Sequence, residues 1–114
     1  QVERTRMLDL LRLELYGMVR QETVFVVDYF RVCGKYAWME GSVQRKDGRK
    51  LEVSEDYDCC HVEALFRKEG GEWKLETHAA FATDVWYTCL VKSYPDLDLR
   101  VFSQKALQAQ NPCE

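Results

Sequence analysis

No apolar run in this 114-residue chain approaches the roughly 20 residues that cross a bilayer. The densest stretch, TVFVVDYF (23–30), is broken by Asp28 and reads as a strand, so membrane insertion is not expected. Nor is there a basic stripe. Lys and Arg number 16 against 19 acids, giving a net charge of −3, and they are interleaved with those acids. Nucleic acid and anionic membrane surfaces are therefore not expected as partners. The chain has only two histidines, with no HxxxH or CxxC spacing, and no Ser–His–Asp set, phosphate loop or acid pair that argues for a specific reaction. No metal, cofactor or specific reaction is expected from such a sequence.

No charged-then-apolar leader opens the chain at Gln1, which suits either a removed leader or a trimmed start. Cysteine supplies the compartment signal. Cys33, Cys59, Cys60, Cys89 and Cys113 make an odd count, which allows two internal bridges and leaves one thiol. Bridges belong to oxidising compartments, so a periplasmic or secreted protein is expected. The alternative is a cytoplasmic one whose buried thiols act as small apolar residues. Cys59, Cys60, Cys89 and Cys113 are the candidates: Cys59 or Cys60 can meet Cys89, a tail can equally deliver Cys113, and Cys33 looks isolated.

A hydrophobic fraction of 46% can build the core of one domain, expected over 1–102, with 103–114 as a polar tail. In VERTRMLDLLRLELYGMV, Met7 or Leu8, Leu11, Leu15 and Met18 or Val19 recur at helical spacing, which predicts an amphipathic helix. TVFVVDYFRVC and the residues after it predict a hairpin turned by Gly34–Lys35, pairing Cys33 with Tyr36 and Phe30 with Met39. Strict alternation then puts Val24, Val26, Phe30 and Val32 on one face, and Phe25, Val27 and Tyr29 on the other. Both faces are partly apolar, so both are expected to be covered.

A second hairpin, turned by Gly70–Gly71, pairs Phe66 with Leu75, Ala64 with Thr77, Val62 with Ala79 and Cys60 with Phe81. That register sets Glu63 opposite His78, with His61 diagonal to His78. A short helix is expected in TDVWYTCLVKSYP, starting near Thr83 or Asp84. The fold class is thus α+β: an N-terminal helix on a curved four-stranded antiparallel meander, with a short helix after the fourth strand.

VFVVDYFRVCGKYAWMEGSVQ, ALFRKEGGEWKLETHAAFATDVWY and YPDLDLRVF, taken in that order, resemble a group of small uncharacterised exported bacterial proteins with a cystatin-like or nuclear-transport-factor-like α+β fold. The resemblance spans about residues 4–102 and implies fold and compartment rather than an activity. Cystatin-type inhibitors carry Gln-x-Val-x-Gly. The nearest match here, QRKDG (44–48), lacks the valine, which disfavours inhibition of that kind.

Two clusters are the candidate sites. His61, Glu63 and His78 form a polar cluster that could hold a metal or act as an acid–base couple, although Glu–His is also an ordinary cross-strand pair. Trp38, Asp84, Trp86 and Tyr87 could line a mouth between sheet and helix, the kind of apolar pocket that takes small ligands. Their plain roles would be core packing and, for Asp84, helix capping. The expected function is a non-enzymatic domain that binds a small apolar ligand or a protein partner, with a homodimer as a further option. The alternative is a small hydrolase- or isomerase-like enzyme using His78 with Glu63 or Asp84.

Overall fold

Apolar spacing becomes structure first in α1 (Val2–Val19), whose Met7, Leu11 and Leu15 are buried as one stripe. The computed structural model describes residues 2–113, and Gln1 and Glu114 are outside the described residues. Four strands follow: β1 (Thr23–Cys33), β2 (Tyr36–Arg45), β3 (His61–Glu69) and β4 (Glu72–Ala80), paired antiparallel in the order β1-β2-β3-β4. After them come one-turn α2 (Leu90–Ser93), a 3-10 turn (Leu99–Val101), α3 (Gln104–Gln108) and a last 3-10 turn (Asn111–Cys113). The fold is α+β, as expected. Among the described residues, no helix is long and apolar enough to cross a membrane.

Both hairpins close where their glycines are. Gly70 and Gly71 have φ of +56° and +81°, the left-handed pair that a type I′ turn requires and that side chains resist. From that turn the register runs as expected to Phe66–Leu75, and from Gly34–Lys35 it runs as expected to Tyr29–Glu40.

Beyond those points each hairpin contains a β-bulge, and the sequence expectation fails there. In β1 the extra residue is Asp28, so Val27 pairs with Gly41 and Phe25 with Val43. Phe25 and Val27 therefore join Phe30 against the α1 core, while Val24 and Val26 are exposed. Strict alternation would have carried Asp28 to the same face as Phe30. Burying an unpaired carboxylate is costly, and the bulge leaves it in solvent.

In β4 the extra residue is Glu76, so Ala64 pairs with His78, Glu63 with Ala79 and Val62 with Ala80. His78 thus lies on the α1 face, while His61 and Glu63 lie on the other. The single polar cluster read from the sequence is divided between the two sides of the sheet. The shift also puts small Ala79 beside Glu63, leaving room for a large side chain there.

That second face is covered by the chain from 82 to 113, making three layers with the sheet in the middle. Tyr36, Trp38 and Leu65 meet Tyr87, Leu90, Leu97, Val101, Phe102 and Ala106 there. The expected helix near Asp84 is instead a run of bends and turns. Asp84 is exposed and caps no helix among the described residues, and the helix starts only at Leu90. Residues 103–113, read as a tail, hold Ala106 and Gln110 fully buried. The Gln110 amide donates to the Tyr87 and Ala106 carbonyls at 2.9 and 3.0 Å. Tyr29 donates to the Val101 carbonyl at 2.9 Å, and Tyr36 to Asp96 at 2.7 Å. Burial, then the Asp96 carboxylate, pushes the Tyr36 phenol up to about 12.

The cysteines form two pairs at bonding distance, Cys59 with Cys60 and Cys89 with Cys113; Cys33 is free. No bridge joins Cys59 or Cys60 to Cys89. Cys59 and Cys60 pack against the α1 core, whereas Cys89 belongs to the layer on the far face. Thiol titration of the unfolded, unreduced protein should therefore find one thiol per chain. Five would show that neither bridge forms.

Candidate functional site

Two adjoining strands each bring a glutamate to the face covered by 82–113. Glu40 and Glu63 are direct partners in the β2–β3 ladder, 8% and 4% exposed. Buried carboxylates need donors, and each has an indole. Trp38 Nε1 donates to Glu40 at 2.7 Å, and Trp86 Nε1 donates to Glu63 at 2.8 Å. The Ser103 hydroxyl also donates to Glu40, and Lys105 Nζ lies 3.8 Å from it.

His61 completes the cluster. Its Nδ1 is 2.7 Å from Glu63 Oε2, and its Nε2 is 2.7 Å from the Ala82 carbonyl oxygen. A carbonyl can only accept, so Nε2 carries a proton, and Nδ1 is placed to donate a second one to the Glu63 carboxylate. That arrangement is an imidazolium. Burial alone would push its pKa down, but the Glu63 and Ala82 hydrogen bonds and nearby Asp58 outweigh burial, and the net shift is upward.

The linkage has a definite sign. A group whose pKa is raised on folding stabilises fully below its unfolded value of about 6.5, and that contribution fades as pH rises through the folded value. Denaturant titrations of the wild type and His61→Gln should differ most near pH 5.5, and the gap should narrow toward pH 9. A gap that widens with pH would contradict the imidazolium.

The four residues expected to line a mouth have different positions. Trp38 and Tyr87 meet edge to face with ring centroids 5.4 Å apart, and Trp86 lies 6.0 Å from Trp38. Phe102, which sequence reading did not single out, adds a fourth ring 5.3 Å from Trp38. Trp38 is fully buried and Tyr87 is 4% exposed, so these rings fill their space with one another. Asp84 stays in solvent. Among the described residues, no three His, Cys, Asp or Glu side chains converge as a metal site. His78 makes no hydrogen bond or ion pair with Glu63 or Asp84 among the described residues. Glu40, Ser103 and Lys105 were also missed, because no local pattern announces a contact across 63 residues of chain.

An open feature of the surface lies elsewhere, at the outer edge of β1. Among the described residues β1 pairs with no strand but β2, and on its outer side Arg12 Nε donates to the Thr23 carbonyl at 3.1 Å. A cleft of about 650 Å³ runs there between α1 and the start of β1, lined by Arg12, Leu13 and Tyr16 opposite Gln21, Thr23 and Val24. Leu13, Tyr16, Val24 and Val26 are 73, 44, 36 and 44% exposed. Thr23 is 2% exposed, and its hydroxyl is one of two buried side-chain polar atoms without a partner among the described residues. Sequence reading missed this edge because strict alternation had turned Val24 and Val26 inward.

Comparison with protein families, with curated proteins and with solved structures returns no match to this chain.

Proposed function

We propose that the protein is a non-enzymatic binding domain of an oxidising compartment, periplasmic or extracellular, that captures an extended segment of a partner protein on the edge of β1. The observation that carries this reading is the edge at Thr23–Val27, which among the described residues no second strand covers and only Arg12 bonds, flanked by exposed Val24 and Val26 and by Leu13 and Tyr16 of α1. Native proteins usually blunt or cover such edges, because backbone N–H and C=O groups left open will pair with another strand. An added strand draws affinity from main-chain bonds and selectivity from the pockets beside them. The two cysteine pairs support the compartment.

The enzymatic alternative needs His78 beside Glu63 or Asp84. The β4 bulge puts His78 and Glu63 on opposite faces, so that reading has no assembled couple to work with. A small ligand among Trp38, Trp86 and Tyr87 would have to displace packed rings, which makes the protein partner the better supported choice.

Panning the full chain against a displayed library of random octapeptides tests the edge. Enrichment should be strong on the wild type and lost on Val26→Lys, with the circular dichroism unchanged because Val26 is exposed. No enrichment, or equal enrichment on both proteins, would refute capture at this edge.

A further inference from the structure

We infer that the segment taken up at the β1 edge is short, apolar at alternate positions and acidic at the end that lies beside Thr23. This rests on the edge-capture reading and adds its length, polarity and charge. The length comes from the bulge. Asp28 interrupts β1, so the regular edge is Thr23–Val27, about 17 Å of strand, where an incoming strand takes the place of Arg12 at the Thr23 carbonyl.

The alternation comes from the walls. Side chains of an added strand point alternately to the two sides of the sheet. One side faces Leu13 and Tyr16 of α1 and receives apolar groups, while the other is open to solvent beside the exposed Val24 and Val26 and takes polar ones.

The charge comes from the far end of the cleft. It continues past Thr23 into a second depression of about 410 Å³ lined by Arg20, Gln21, Glu22, Arg45, Lys46 and Asp47. Arg45 is engaged by Asp47 and Glu52. Arg20 and Lys46 have no ion-pair partner among the described residues, and Arg49 and Lys50 on the adjoining turn have none either. Glu22 is the one unpaired acid of that lining, and Asp9 along the cleft is paired with Arg12. A chain of net charge −3 thus gathers unpaired cations at one end of its open edge. Carboxylates entering there meet complementary charge, and like-charged segments are repelled.

Sequencing the enriched octapeptides, then measuring one fluorescein-labelled representative by anisotropy on the full chain, decides the matter. Enriched peptides should alternate β-branched or aromatic residues with polar ones and end in Asp or Glu. Binding should weaken about tenfold on Arg20→Glu/Lys46→Glu and fall as salt rises from 50 to 500 mM. Edge-dependent peptides without acids, or affinity indifferent to the charge reversal, would overturn this inference and leave the edge reading standing. Enrichment that ignores Val26→Lys would remove both.

Discussion

Replacing Gly41 by alanine should destabilise the protein by about 2–4 kcal/mol, a fall in melting temperature of about 10–15 °C. Gly41 sits in β2 opposite the β1 bulge, paired with Val27. A Cβ built there would lie 2.5 Å from the Val26 carbonyl oxygen, 3.0 Å from Met39 Cε and 3.2 Å from Val27 Cα. Met39 has a flexible end that can move. The Val26 oxygen and Val27 Cα are backbone, and moving them means opening the ladder where Asp28 is turned out. Gly17 is the control, since nothing lies within 4 Å of a Cβ there and it sits inside α1. Gly17→Ala should leave stability unchanged or raise it by up to about 1 kcal/mol. Equal melting temperatures for the two variants would mean that the bulge does not press on Gly41.

Glu63→Ala should cost about 3–4 kcal/mol, because it removes one acceptor from two donors held in a largely buried place. The Trp86 indole N–H and the His61 Nδ1 would both lose their partner. The His61 pKa should then fall, since the hydrogen bond it donates to Glu63 is the largest influence holding it up against burial. Glu63→Gln keeps the shape and one acceptor oxygen, and should lose less stability. Trp86 fluorescence should shift to longer wavelength in Glu63→Ala as water reaches the indole. Full stability with an unshifted His61 titration would mean that the cluster does not hold the layer 82–113 to the sheet.

How far the candidate sites could be read depended on their distance from the glycine turns. The Gly34–Lys35 and Gly70–Gly71 turns set the pairing of their neighbours, so Arg31–Trp38 and Phe66–Leu75 lie where local rules put them. Past Asp28 and Glu76 those rules no longer apply, and there His78 parted from Glu63 and Val24 and Val26 turned outward. The Glu63–His61 contact survived because both residues lie on β3 two positions apart, which needs no partner strand. Glu40 with Ser103 could not be read, since the donor comes from a segment whose composition looked like a solvated tail.

Alone, the sequence determined the elements: an α1 stripe of Met7, Leu11 and Leu15, two glycine-turned hairpins and two sheet faces that both needed cover. These follow from side-chain period and backbone freedom within a few residues, which act before the chain has folded. Tertiary structure alone decided which side chains each face received and what covered the second one. A bulge is selected by free energy summed over the whole core, here by the expulsion of Asp28 and the room left beside Glu63 for Trp86, and no short window of sequence contains that sum.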